Sequence, residues 1–306
     1  MEDHLNSIHL NFSEDKVWLL NLCLAFIMFG VALSLETRHF KEVARNPKGF
    51  WVGVMSQFIL LPAITFLLIY FLRPHPGLAL GMILVAACPG GNVSNFYSLV
   101  AGGNVALSVS LTGFATFFAV FLTPMNFEFW GSILPETEKI LHSINISFFA
   151  MAKTLVLILL IPLLLGIWFR RKFPSLTIRI EKYLRILSFL ILAAFIAFAL
   201  ADNIEVFTEY IHYIVYLVLL HNGLALLTGF LTSKIARLNS KDVKTITIET
   251  GIQNSGLGLL IIFTFFKGMG PMALITAWWG IWHLISGIAA AIILQRLKIS
   301  RLVFKQ

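Results

Sequence analysis

The sequence predicts an all-α polytopic membrane protein with nine transmembrane helices, built as inverted repeats in which two helices are broken. Three observations carry the prediction. Of the 306 residues, 58% are hydrophobic and 12% are charged, whereas roughly a quarter of a soluble protein is charged. The apolar residues fall in runs long enough to cross a hydrocarbon core of ~30 Å, which takes about 20 residues of helix. Basic residues gather in alternate connectors, the pattern of loops that stay in the cytoplasm. Short alternating segments of the kind that build a membrane barrel do not dominate.

In chain order the spans fall at about 17–35, 49–72, 77–101, 104–124, 145–169, 186–206, 212–236, 241–266 and 270–295. Glu2, Asp3, Glu14 and Asp15 precede or begin the first span, unlike the basic start of a cleavable leader, so that span is expected to remain. Arg38, Lys41, Arg45 and Lys48 follow span one, and Arg170, Arg171, Lys172, Arg179, Lys182 and Arg185 follow span five. Lys234, Arg237, Lys241 and Lys244 surround the end of span seven, and Arg296, Lys298, Arg301 and Lys305 follow span nine. The intervening connectors are poor in basic residues and carry Glu128, Glu136, Glu138, Asp202, Glu205 and Glu209. This alternation puts the N-terminus outside and the C-terminus in the cytoplasm, in a plasma membrane or the inner membrane of a Gram-negative cell.

It also explains the formal charge of +8 without a nucleic-acid partner, and nothing calls for an obligatory protein partner. The basic connector 170–185, with Ile178, Ile180, Tyr183 and Leu184 among its charges, is expected to form a short helix on the membrane surface. Cys23 and Cys88 lie in apolar segments, with neither a disulfide nor a metal-ligand spacing between them.

Spans two to four and seven to nine read alike: plain helix, helix interrupted by glycine and Asn-Ser, then helix. Span three runs inward and span eight outward. Matching breaks in halves of opposite direction point to an inverted-repeat transporter with its site near the midplane. The first span pairs with the sixth, which leaves the fifth unpaired.

The chemistry concentrates at the breaks. Ile248–Gly258 places Glu249, Gln253, Asn254 and Ser255 among three glycines inside an apolar run. A carboxylate at that depth costs several kcal/mol and defaults to a functional reading, facing an interior cavity. A carboxylate, amide oxygens and backbone carbonyls freed by the break make an all-oxygen set for a hard cation. One carboxylate among neutral oxygens suits a monovalent ion, sodium or a proton. The earlier break, Cys88–Asn95, combines Pro89, Gly90 and Gly91 with Asn92, Ser94 and Asn95, residues that interrupt a helix. Ser108 and Thr112 share a face of span four, and Gln57 lies deep in span two, where a plain helix–helix hydrogen bond is an equal reading. His221 and His283 are equally well read as neutral interhelix partners. An intramembrane enzyme would need a paired constellation, and no second aspartate lies at depth. A proton-coupled exchanger or channel remains the alternative class.

The motifs Ala87–Asn95, Asn104–Thr112 and Glu249–Gly256 resemble those of the bile acid:sodium symporters and their bacterial homologues, and the resemblance runs over most of the chain. It implies sodium-coupled transport of an organic anion, not catalysis. It implies one sodium site at Ser94, Asn95, Ser108, Thr112 and Glu249. A second would use Gln57, Glu249 and Gln253 with carbonyls of Thr250 and Ile252. The solute side is expected at Asn92, Thr112, Asn254, Ser255 and His283, with departures from the family pattern at Asn92 and Leu284. The fold implied has a core in which the two broken helices cross, beside a panel of spans one, five and six. The chain then divides into 1–48 (N-terminal segment and first panel helix), 49–124 (first half of the core), 125–211 (panel helices and basic connector) and 212–306 (second half of the core and the C-terminus). The nine-helix form, lacking the first helix of ten, agrees with the unpaired fifth span.

Overall fold

The computed structural model describes residues 14–45, 47–144, 148–201 and 204–297, and among them every regular element is helical. The chain forms α1 (Glu14–Ala32), α2 (Thr37–Arg45), α3 (Lys48–Leu72), α4 (Pro76–Ala87), α5 (Val93–Val100), α6 (Val105–Gly131) and α7 (Pro135–Ile144). It continues as α8 (Phe148–Lys172), α9 (Pro174–Ala201), α10 (Ile204–Ile235), α11 (Ser240–Gly251), α12 (Ser255–Phe265) and α13 (Gly270–Arg296). Five helical stretches among the described residues are long and apolar enough to cross a membrane: α3, α6, α8, Ile214–Ile235 within α10, and α13. This is an integral membrane protein.

The two expected breaks are present, dividing 76–100 into α4 and α5 and 240–265 into α11 and α12. Pro89 cannot extend α4, because it lacks the N–H and its ring clashes with the preceding turn. The interrupted helices lie deepest. Every residue of α4 from Gly77 to Ala87 is buried, as is every residue of α12 from Ser255 to Phe263. Helices that are hydrophobic all round must be enclosed by others, and non-helical backbone is tolerated at membrane depth only where protein covers it. The long helices instead turn Trp51, Ile59, Leu67, Phe121, Leu157, Leu164 and Ile285 outward.

Helix α1 lies against α8, α9 and α12, and α8 also against α6; α11 lies against α5, α6, α10 and α13, and α4 against α6 and α13. Arg170 at the end of α8 ties α1, α8 and α9 together. It donates to the Leu33 carbonyl after α1, and lies 2.5 Å from Glu36 and 3.3 Å from Glu181 of α9.

Several local features differ from expectation. The connector 170–185 is not a separate surface helix: α9 starts at Pro174 and runs unbroken to Ala201. After Pro174, a favourable first helical residue, that stretch holds neither glycine nor proline to stop it. Helix α6 continues through Pro124 to Gly131 instead of ending there. Both α3 and α8 contain one widened turn, Ser56–Leu60 and Val156–Leu160, immediately before Leu61-Pro62 and Ile161-Pro162. The missing proline N–H frees a carbonyl in the preceding turn, and the helix absorbs the defect by bonding five residues back. In α3 that widened turn carries Gln57, which is buried.

Candidate functional site

The two breaks meet. Their backbones pair as a short antiparallel bridge between Gly90 and Gln253, with Gly91 N–H donating to the Ile252 carbonyl at 2.8 Å and Asn254 N–H to the Pro89 carbonyl at 3.0 Å. Glycine is needed for this approach: a Cβ on Gly91 would sit 2.9 Å from the Gln253 carbonyl oxygen. The backbone groups that the breaks release are therefore largely satisfied by each other, as buried N–H and C=O groups must be.

Glu249, in the last turn of α11, points into this junction and is 5% exposed. Three hydroxyls from two other helices converge on it. Ser94 of α5 donates to its Oε1 at 2.6 Å, Ser108 of α6 donates to the same oxygen, and Thr112 of α6 reaches Oε2 at 3.2 Å. Thr112 Oγ1 also lies 3.4 Å from Asn95 Oδ1. Serines 94 and 108 and threonine 112 are brought to one carboxylate because α5 and α6 form a hairpin over α11. No ion pair to Glu249 exists among the described residues. Hydrogen bonds to a charged acceptor contribute about 1.5–3 kcal/mol each, so three offset much of the several kcal/mol that desolvating a carboxylate costs. They do not neutralise it.

Gln57 and Gln253 sit beside this group and bond to each other, Gln57 Nε2 donating to Gln253 Oε1 at 2.7 Å. Gln57 also donates to the Cys88 carbonyl at 3.0 Å, and Gln253 to the Thr250 carbonyl at 2.8 Å. The expectation of free carbonyls at Thr250 and Ile252 therefore needs correction. Each already accepts one hydrogen bond, from the Gln253 side chain and from Gly91 N–H, and offers a cation only its second lone pair. A cavity of about 10 Å³ opens beside Glu249, Gln57 and Gly90, closed by Gly53, Phe58 and Leu111. That is room for one water-sized species, not for an organic solute.

The other expected residues make no hydrogen bond to the Glu249 carboxylate among the described residues. Asn254 caps α12, its Oδ1 accepting from Leu257 N–H at 3.1 Å while its Nδ2 is buried without a partner. Ser255 Oγ and Asn92 Oδ1 are likewise buried and unpartnered, and His283 is buried against the Trp279 backbone one turn earlier in α13. His221 bonds Thr65 at 2.7 Å and packs against Trp279, the interhelix role that its bland reading anticipates. Three residues at the site are not among those the sequence motifs single out: Ser98, 3.2 Å from Ser108 Oγ and one turn from Ser94, Ser56, paired with Thr250 at 2.9 Å, and Asn222, which donates to the Gly251 carbonyl at 2.7 Å just before the break. Asn222 had a signal, a carboxamide in an apolar span. Ser56 had none.

Residues 21–210 match the model of the Sodium Bile acid symporter family. The chain belongs to that family. It is 30% identical over 272 residues to the "Uncharacterized sodium-dependent transporter YocS" of Bacillus subtilis (strain 168), covering 88% of this chain and 80% of that one. The "Probable sodium/metabolite cotransporter BASS2, chloroplastic" of Oryza sativa subsp. japonica is 30% identical over 239 residues, 78% of this chain and 55% of that one. The human "P3 protein" is 27% identical over 255 residues, 82% of this chain and 52% of that one. The chain thus spans little more than half of the plant and human relatives. Membership makes it a transporter-family protein and not an enzyme.

Proposed function

We propose that the protein is a sodium-coupled secondary active transporter of an organic anion, a small carboxylate or bile-salt-like solute, working by alternating access. The observation that carries this reading is the buried Glu249 carboxylate, held by three hydroxyls at the junction of two broken helices and lacking a cationic partner among the described residues. The sodium in the names of its Bacillus and rice relatives supports the choice of ion. One sodium would bind Glu249 with Ser94, Asn95, Ser108 and Thr112, the hydroxyls turning their lone pairs toward it. A second would bind Glu249, Gln57 and Gln253, which requires the two amides to exchange their mutual hydrogen bonds for the ion. Nine crossings, with the N-terminus outside, would place both sites at mid-membrane. α1, α8 and α9 would be the panel against which the remaining helices rock.

The solute would sit on the far side of the bridge, where α5 and α12 begin. The N-terminal N–H groups of both helices favour an anion there; Asn92, Asn254 and Ser255 carry unpartnered polar atoms at those helix starts, and His283 of α13 would be a further contact.

Purified protein melted with small carboxylates and bile salts, in sodium chloride or in choline chloride, tests the reading. At least one anion should raise the melting temperature more in sodium than in choline, and the same anion should enter proteoliposomes on an inward sodium gradient. Uptake driven equally well by a proton gradient without sodium would replace this reading with proton-coupled exchange.

A further inference from the structure

Away from the breaks, a second buried polar cluster joins the same three helices. The connection between α5 and α6, Ala101-Gly102-Gly103-Asn104, is seated in the first two turns of α11. Asn104 Nδ2 donates to Asp242 Oδ1 at 2.8 Å, and Asn239 Nδ2 donates to the other carboxylate oxygen at 2.6 Å. Thr245 Oγ1 accepts from Asn104 N–H at 2.8 Å and lies 3.2 Å from the Asn104 carbonyl, to which it donates. Lys244 Nζ donates to the Ala101 carbonyl at 3.1 Å, at the C-terminal end of α5, where a cation is favoured. A Cβ on Gly103 would lie 2.6 Å from Thr245 Oγ1 and 3.0 Å from the Ser98 carbonyl, so the connection fits only as glycine. Asp242 is 5% exposed and Lys244 8%, yet no ion pair joins them among the described residues: each is satisfied by the connection instead.

Asp242 precedes Glu249 by seven residues, about 10 Å along α11. Helix α5 is only eight residues long, too short to hold its place unaided. Yet it carries Ser94 and Asn95, while α6 carries Ser108 and Thr112. Tyr97 ties the middle of α5 to the Leu284 carbonyl of α13 at 2.9 Å, and contacts at the two ends of the hairpin hold the rest over Glu249. The bridge between the breaks supplies one end, and the Asp242–Thr245 cluster supplies the other.

We propose that Asp242, Thr245, Lys244 and Asn104 are positioning residues for the cation, a clasp that sets the sodium affinity of the Glu249 site from a distance. The proposal rests on the reading of Glu249 as a sodium ligand. The ion needs four side-chain oxygens from α5 and α6 delivered together, and any slack in the hairpin becomes an ordering cost paid on binding.

The test is a sodium titration of the melting temperature of the whole purified protein, at constant ionic strength with choline. Asp242→Asn and Thr245→Val should each raise the half-saturating sodium concentration roughly tenfold, as the loss of one charge-assisted or doubly used buried hydrogen bond would. Thr245→Ser, which keeps the hydroxyl, should titrate like the wild type and serves if the harsher variants do not fold. The double variant Asn104→Asp/Asp242→Asn puts the carboxylate on the other side of the same contact and should return the half-point to within threefold of wild type. Variants that lower the melting temperature in choline but keep the wild-type sodium half-point would make the cluster structural and overturn the proposal. Failure of the double variant to recover would overturn the Asp242–Asn104 contact as its basis. A wild type with no sodium-specific shift would instead overturn the reading of Glu249, and the clasp with it.

Discussion

Glu249→Gln separates the cost of the buried charge from its use. The amide keeps the shape, and its single oxygen, placed at the Oε1 position, still accepts from Ser94 and Ser108, whose contacts converge there. The other position becomes an N–H₂ group facing Thr112 Oγ1, 3.2 Å away, which accepts as readily as it donates. Without sodium the variant therefore loses the desolvation cost of an unpaired carboxylate, several kcal/mol, along with the charge-assisted part of three hydrogen bonds at about 1 kcal/mol or more apiece. The two nearly cancel, and the melting temperature in choline should stay level or rise. With sodium the wild type gains RT ln(1 + [Na⁺]/Kd), about 2.7 kcal/mol at a hundredfold excess over Kd. For a chain of this length that is on the order of 5 °C, and the variant should show none of it. The measurement is a paired melt in sodium and choline chloride at equal ionic strength. If the variant kept half of the wild-type sodium shift, Glu249 would not be the ion's main ligand. A fall of many degrees in choline would mean that its hydrogen bonds hold the breaks together, a structural role.

Three further outcomes follow from the same geometry. Gly90→Ala brings a methyl to 3.1 Å from Glu249 Oε2, so the carboxylate must shift by a few tenths of an ångström; sodium half-saturation should rise about tenfold with little change in the sodium-free melt. Gln57→Leu leaves the Cys88 carbonyl and the Gln253 amide short of a partner, which should cost about 1–3 kcal/mol of stability and reduce the steepness of the sodium titration if two ions bind. Arg170→Gln removes the cation that joins α1, α8 and α9, about 1–2 kcal/mol after allowance for its partial exposure; the melting temperature should drop in choline while the sodium half-point stays in place.

Much of the helical layout is legible in the sequence because apolar runs and breakers are local. The segments read at 49–72 and 270–295 coincide with α3 and α13 within a residue or two. The breaks at Pro89 and Gly251 are legible for the same reason. The start of α9 is not, because the charges among apolar residues at 170–185 read as a short surface helix separate from the span at 186–206, while helical continuity depends on the absence of breakers. The grouping of Ser94, Ser108 and Thr112 on Glu249 is suggested by family motifs alone. Pairs such as Gln57 with Gln253 join residues 196 positions apart, and no periodicity reports such a contact. The clasp at Asp242 is concealed differently: a basic and acidic stretch at a helix start looks like a solvated end, and only packing shows it buried.

The bridge between the breaks has a consequence for coupling. Glu249 lies before the break in α11, and the N-terminal N–H groups of α5 and α12 lie just after theirs, so cation and anion would address one backbone-linked unit from two sides. With Glu249 charged and no cation bound, an incoming carboxylate meets a like charge. At an effective dielectric of ~20, like charges ~6 Å apart repel by about 3 kcal/mol, roughly a hundredfold in affinity. Sodium on Glu249 removes that repulsion, and linkage requires the solute to tighten sodium by the same factor. On the proposed reading, solute affinity should therefore climb steeply as sodium is raised through its half-saturation. In Glu249→Gln it should be independent of sodium and no weaker than in the sodium-free wild type, since the repelling charge is gone. Calorimetric titration of whichever anion the melts select, at low and high sodium, decides it. A wild-type affinity that ignores sodium would leave the bridge a mere brace, with no share in coupling.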